Sequence, residues 1–378
     1  MAKLFESAHI NELALKNRLV RSATWEGLAT EEGAVTDRLV DLLAGLVVGG
    51  VGLIISGYTY VLPEGKGLSG MTGLYSDKLI PGFQRLTSTI HRLGGAVAIQ
   101  LVHTGGRANP RYIGDQEPVG PSAIEHPMYP GKPREMSVAD IEEVIEAFGQ
   151  AAGRAKKAGY DAVQLHAAHG FLISQFLSSS TNKRQDAYGG SLDNRVRFLV
   201  EVYDRVREEV GKGFTVMVKI NGEDFYPGGL TIQESIYSVR KLSSLGLDAV
   251  EISGGTPASG KLGPERTGIR SLAQEAYFLP QAKAMREAAD IPLILVGGLR
   301  SWQCIETLLQ RGDVDLVSMA RPLIREPRLA NRWRGGDTRR AKCISCNLCL
   351  ETAARQGLAC GYEQKLAARG VIDKGSVT

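Results

Sequence analysis

Eight short runs of apolar, largely β-branched residues recur along the chain, separated by segments with helical periodicity, and this recurrence restricts the fold more than any other feature. In order they are LVRSAT (19–24), GLIISG (52–57), AVAIQLV (96–102), DAVQLHA (161–167), FTVMVKI (214–220), DAVEISG (248–254), PLILVGG (292–298) and LVSMAR (316–321). Continuous rather than alternating hydrophobicity is what parallel strands covered on both faces require. Segments such as ADIEEVIEAFGQAAGRAKKAG (139–159) supply the amphipathic crossovers. Eight strand–helix units predict an α/β fold, a (β/α)8 TIM barrel over residues 1–340. A doubly wound sheet would carry a G-x-G-x-x-G turn after its first strand, and none follows LVRSAT.

Composition narrows the class without naming a partner. Apolar residues make up 43% and charged residues 23%, which is globular rather than disordered. The net charge of +4 is too small to argue for nucleic acid or a membrane surface. The basic stretch RPLIREPRLANRWRGGDTRRAK (321–342) reads as a solvated helix face. LLAGLVVGGVGLIISGYTYVLP (42–63) is long and uncharged, but its five glycines and the run GLIIS predict a helix end, a turn and a buried strand rather than a membrane span. The start MAKLFESAHI shows no export signal, so a cytoplasmic protein is expected. HTGGRANPRYIGDQEPVGPSAIEHPMYPGKPREM (103–136) is too long and too rich in Gly and Pro for a plain βα loop, and predicts a lid or hairpin over the barrel mouth after strand three.

Active sites in this fold gather at the C-terminal strand ends. Those ends read Thr24, Ser56, Gln100, His166, Lys219, Ser253, Gly297 with Gly298, and Arg321, an unusual set of polar side chains for an inert barrel. Gly297, Gly298 and the backbone of Ala320 offer N–H groups for a phosphate after strands seven and eight, with Arg321 as a bidentate partner. Gln100 can both donate to and accept from an imide edge, and Lys219 can stabilise negative charge on a ring nitrogen, demands that an isoalloxazine satisfies. The alternative is that both are interior polar residues of the top layer. His166 and His169 form an H-x-x-H pair that could ligate a metal, though no third ligand is obviously paired with it.

These residues carry a resemblance. LKNRLVRSAT (15–24), GVGLIISGYTYVLPEG (50–65), IQLVHTGGR (99–107), HAAHGFLISQFLSSSTNKRQDAYGGSLDNR (166–195), VKINGEDF (218–225), VGG and ARPLIREP (320–327) together make the chain similar to the old yellow enzymes, FMN-dependent oxidoreductases on a (β/α)8 barrel. The resemblance implies that Ala23, Thr24 and Tyr58 line the flavin, that Gln100 reads its pyrimidine edge, and that Lys219 sits near N1. It places Gly297, Gly298, Ala320 and Arg321 on the phosphate. His166 and His169 become catalytic, donating N–H groups to one substrate oxygen so that hydride from reduced flavin adds to an activated C=C, with NAD(P)H as reductant.

Three positions depart from the family pattern. Phe171 stands where many relatives have a proton-donating Tyr, so another donor, with Glu26, Tyr58 and Tyr226 as the candidates, substitutes, or protonation comes from water, or the reaction needs no acid there. Trp25 stands where relatives carry a Thr or Cys. HTGGR has one glycine more than the commoner form, which shifts Arg107 and leaves it without an assigned role.

The segment 341–378 forms a cysteine-containing tail, CISCNLCLETAARQGLAC, with Cys343, Cys346, Cys349 and Cys360 as candidate metal ligands. C-x2-C-x2-C followed by a fourth Cys suits a [4Fe–4S] cluster, with zinc or free thiols as alternatives. The tail resembles the cluster region of 2,4-dienoyl-CoA reductase and trimethylamine dehydrogenase, which typically space the second and third Cys one residue further apart. Such a cluster would need an external redox partner or serve only structure. Cys304 is expected to be buried on a helix. The expected function is an FMN-dependent ene-reductase acting on a small unsaturated carbonyl compound, as a homo-oligomer without nucleic-acid or membrane partners. Alternatives are a flavin-dependent demethylase or dehydrogenase running oxidatively, or an electron-transfer flavoprotein.

Overall fold

The computed structural model describes residues 2–371. Its centre is a closed barrel of eight strands in sequential order. They are β1 (Leu19–Arg21), β2 (Leu53–Tyr60), β3 (Ala96–Val102), β4 (Ala162–Ala167), β5 (Thr215–Asn221), β6 (Ala249–Ser253), β7 (Leu293–Leu295) and β8 (Leu316–Met319). All eight expected runs form strands of this barrel, and every pairing around it is parallel.

Helices cover the outside, and their starts are written in the sequence. Thr36, Ser137, Ser191 and Thr231 each accept a hydrogen bond from the backbone N–H three residues on, satisfying one of the donors a helix start leaves free. Ser137 and Thr231 complete capping boxes with Asp140 and Glu234. The uncharged segment 42–63 resolves into the end of helix Asp37–Val48, a glycine turn and β2. Among the described residues no helix is long and apolar enough to cross a membrane.

The period of two along each strand sorts the barrel interior into layers. At the N-terminal end it is apolar: Val20, Ala98, Ala162, Met217, Ala249 and Leu316 pack together and are closed off by Ile10 and Leu15. Those two come from a small antiparallel pair, Ala8–Ile10 with Leu13–Leu15. Two residues further along the strands the same inward positions become Ser22, Gln100, Gln164, Lys219, Glu251 and Ser318, all buried. The core thus changes from apolar to polar along the barrel axis, toward the end where catalytic groups are found.

Segment 103–136 contains the short turns Gly105–Arg107 and Pro110–Tyr112. Val119–Gly120 and Arg134–Glu135 pair in parallel, so the segment is not a simple hairpin. Arg184 fastens it by donating to the carbonyls of Pro121 and Met136. The basic stretch 321–342 differs from the expected solvated face. Arg325 pairs with Glu363, Arg332 with Glu326 and Asp337, and Arg340 with Glu275, because the chain folds back over the barrel and brings carboxylates to them.

Candidate active site

The polar end of the barrel opens into a cavity of about 350 Å³, joined at its mouth to a second of about 610 Å³. Both volumes fall in the range of about 300–1,000 Å³ common for small-molecule sites. Ala23, Thr24, Tyr58, Gln100, His166, His169, Lys219, Gly298, Ala320 and Arg321 all line the first. Gly297 does not. It packs behind the wall, where a Cβ would stand 3.0 Å from Phe278 and 3.2 Å from Tyr277.

At the base of the cavity a continuous hydrogen-bonded chain crosses the barrel. Gln100 Nε2 donates to Gln164 Oε1 at 2.7 Å, and Gln164 Nε2 donates to Glu251 Oε2 at 2.9 Å. Glu251 Oε1 accepts from Ser22 Oγ at 2.7 Å and from Lys219 Nζ at 3.2 Å. Strand register sets these meetings, since Gln100 is paired with Gln164, and Lys219 with both His166 and Glu251. Burial would raise the Glu251 carboxyl, but the Lys219 charge and the Ser22 and Gln164 hydrogen bonds outweigh it and hold the group below its ordinary value. Lys219 is therefore a neutralised cation rather than a lone charge.

The histidines stand above this base with ring centroids 5.1 Å apart, edge to face. Burial, then neighbouring positive charge from Lys219 and Arg107, pushes both imidazoles well below their usual value, with His169 adding to the effect at His166. Both are neutral at neutral pH, each keeping one N–H. His166 Nδ1 accepts from the Ala168 N–H at 3.3 Å, which places its proton on Nε2. His169 Nε2 meets Ser253 Oγ at 2.7 Å. The His169 backbone is left-handed, with φ of 60°, a costly conformation for a residue other than Gly. It is held by its N–H donating to Asn221 Oδ1 at 3.1 Å.

Of Glu26, Tyr58 and Tyr226, only Tyr58 lines the cavity. Tyr58 lies in both cavities, its ring 5.1 Å from Phe171 and 5.9 Å from His166. Burial raises its phenol above the ordinary value, so it keeps its proton. Glu26 is turned into the protein to pair with Arg21 at 2.8 Å. Tyr226 is spent on Ser180 Oγ at 3.0 Å, outside both cavities.

Four features of the site were not assigned from sequence. Gln164 and Glu251 sit two residues before named strand ends, so a polar residue within an apolar run was the available signal. Arg107 lines both cavities, and Tyr277 packs under the glycine turn. Ser345, Asn347, Cys349, Leu350 and Leu358 of the tail form one wall of the first cavity. Arg321 donates to Asn347 Oδ1 at 2.7 Å and to the Arg266 carbonyl at 2.8 Å, tying barrel to tail. Cys343, Cys346, Cys349 and Cys360 surround one small pocket beside Arg321, and Cys343 Sγ accepts from the Ser345 N–H at 3.5 Å. Cys304 is half-buried on helix Trp302–Gln310, and burial pushes its thiol up to about 11.

Residues 3–338 match the model of the NADH:flavin oxidoreductase / NADH oxidase family. The chain belongs to this family. It is 34% identical to the NADH oxidase of Thermoanaerobacter brockii, over 91% of this chain and 53% of that one. The chain spans about half the length of the first curated relatives it matches. It is 38% identical to the NADPH dehydrogenase of Geobacillus thermodenitrificans, over 86% of this chain and 91% of that protein. The old yellow enzyme homologue of Zymomonas mobilis superposes with a TM-score of 0.75 at 28% identity, covering 89% and 94% of the two chains. The family resemblance and the barrel are thereby both established, and the family is one of flavin-dependent oxidoreductases.

Proposed function

We propose that the protein is an FMN-dependent NAD(P)H oxidoreductase that reduces an activated C=C of a small unsaturated carbonyl compound. The observation that carries this reading is the neutral, mutually perpendicular histidine pair above a base that ends in Gln100 and Lys219. The donor set fits an isoalloxazine: Gln100 keeps its carbonyl oxygen free to meet the pyrimidine edge, and Lys219 would supply a cation near it. Gly298, the Ala320 backbone and Arg321 would hold the phosphate, with Ala23 and Thr24 along the ring. FMN, when bound, supplies hydride transfer.

The chain's own residues do the rest. His166 and His169 orient the substrate carbonyl and stabilise the negative charge that develops on its oxygen, at no cost in reorganisation because neighbours already fix both rings. Tyr58 holds a proton within the same cavity and supplies the acid that Phe171 lacks. That assignment favours reduction over the oxidative direction, whose motive was the absence of such an acid. Trp25 is anchored by Nε1 donating to the Ser69 carbonyl at 3.0 Å and helps to exclude water.

Cys343, Cys346, Cys349 and Cys360 surround one small pocket, and their C-x2-C-x2-C spacing with a fourth Cys suits a cluster. The tail is therefore proposed to carry [4Fe–4S], serving a redox partner or the cavity wall. Anaerobically purified protein should show flavin absorption bands and an iron–sulfur shoulder, both bleached by dithionite, and should oxidise NAD(P)H in the presence of an enone. Protein that takes up FMN without enone-dependent turnover would overturn the ene-reductase reading.

A further inference from the structure

Arg107 is placed to bind, yet no carboxylate among the described residues pairs with its charge. The extra glycine of HTGGR creates the placement. Gly105 is left-handed with φ of 61°, and a Cβ there would stand 2.5 Å from Gln175 Oε1. Gln175 also accepts from the Gly106 N–H at 3.1 Å, so the turn is pinned and carries Arg107 back over the barrel mouth. The guanidinium lies 4.5 Å above the Phe171 ring and donates one bond, Nη1 to the His169 carbonyl at 2.7 Å. The ring face makes a platform for the planar cation.

Among the described residues no carboxylate lies within 4.0 Å of Arg107; of the buried arginines, Arg21, Arg184 and Arg195 each have one and Arg300 has none. Burial lowers its pKa, the mark of a cation short of compensation. Lys261 and Arg266 line the same outer cavity and have no ion-pair partner among the described residues, with Arg266 stacked on Tyr277 and Phe278. Glu265 is the sole carboxylate among the residues lining that cavity. The outer cavity is thus cationic, and its innermost cation borders the histidine pair.

We propose that Arg107 binds an anionic group, a carboxylate, on the substrate, so that the protein selects unsaturated carbonyl compounds bearing a carboxylate beyond the double bond. This rests on the ene-reductase reading. The histidines hold the carbonyl oxygen while the Arg107 fork pairs with the carboxylate, fixing which carbon of the double bond faces the cofactor.

The test compares trans-3-benzoylacrylate with its methyl ester, which keeps the enone and lacks the charge. Dissociation constants are read from perturbation of the flavin spectrum of FMN-loaded protein without reductant. The expected result is an acid bound about tenfold or more tighter than the ester, as a charge-assisted pair implies. Arg107→Gln should bring the ratio close to one at unchanged FMN content. Arg107→Lys keeps the charge without the fork and should lower the ratio; it decides the matter if the Gln variant loses FMN. No preference in the wild type, or a preference unchanged in a variant that retains FMN, overturns the proposal. Failure to reduce either compound overturns the ene-reductase reading instead, and the binding ratio still decides the role of Arg107.

Discussion

Replacing Glu251 by Gln tests whether the base of the cavity works as one electrostatic unit. The substitution keeps the shape and can keep the Ser22 and Gln164 contacts, but it removes the charge opposite Lys219. At 3.2 Å and an effective dielectric of about 20, the lost attraction is about 5 kcal/mol. Relief from burying one carboxylate offsets part of it, and breaking a buried pair by removing one partner typically costs about 3–5 kcal/mol. Urea unfolding of wild type and variant at pH 7 reads the difference. The pH dependence supplies a second signature. Because folding lowers the Glu251 pKa, its stabilisation is present above the unfolded value of 4.5 and is lost as pH falls through the folded value. That loss should vanish in the variant. In FMN-loaded protein the uncompensated Lys219 should also raise the flavin midpoint potential. A change in stability below about 1 kcal/mol, within the range of an exposed pair, would refute the buried-pair argument.

Other expectations follow from the same geometry. Tyr58→Phe should slow enone turnover by about a hundredfold or more while leaving reduction of bound flavin by NAD(P)H intact, measured by stopped-flow absorbance of the two half-reactions. Because His166 and His169 titrate well below 6.5, enone binding should be flat from pH 8 down through 6.5; a break near 6.5 in the spectral titration would show that the rings are not held neutral. The same depression means that stability is lost as pH falls below 6.5, where the unfolded chain takes up protons that the buried rings refuse. Gly298→Ala should weaken FMN retention, because φ there is 70° and the added Cβ would stand 2.7 Å from Tyr277 Cε1; the cost is about 1–3 kcal/mol, read as an FMN dissociation constant.

The failures of sequence reasoning have a common cause. Gln100 and Lys219 were found because each ends an apolar strand with a polar side chain. Glu251 and Gln164 were not, although each lies in the same interior layer, because their meaning depends on the neighbours they meet. Glu26 and Tyr58 looked equally able to donate a proton in the linear chain. Only the turn of Glu26 toward Arg21 separated them. Arg107 was set aside because one extra glycine broke the motif, and the same glycine directs its side chain to the mouth.

What the sequence determined alone is the set of local properties: eight strands, their helical crossovers, the caps, the family and the strand-end groups. These follow from periodicity and side-chain chemistry within a few residues, which no distant contact is needed to express. Tertiary structure decided which charges meet. The Lys219–Glu251 pair, the unpaired Arg107 and the tail wall at Cys349 depend on strand register and on chain closure across up to several hundred residues, and Coulomb energy falls with separation in space rather than along the chain.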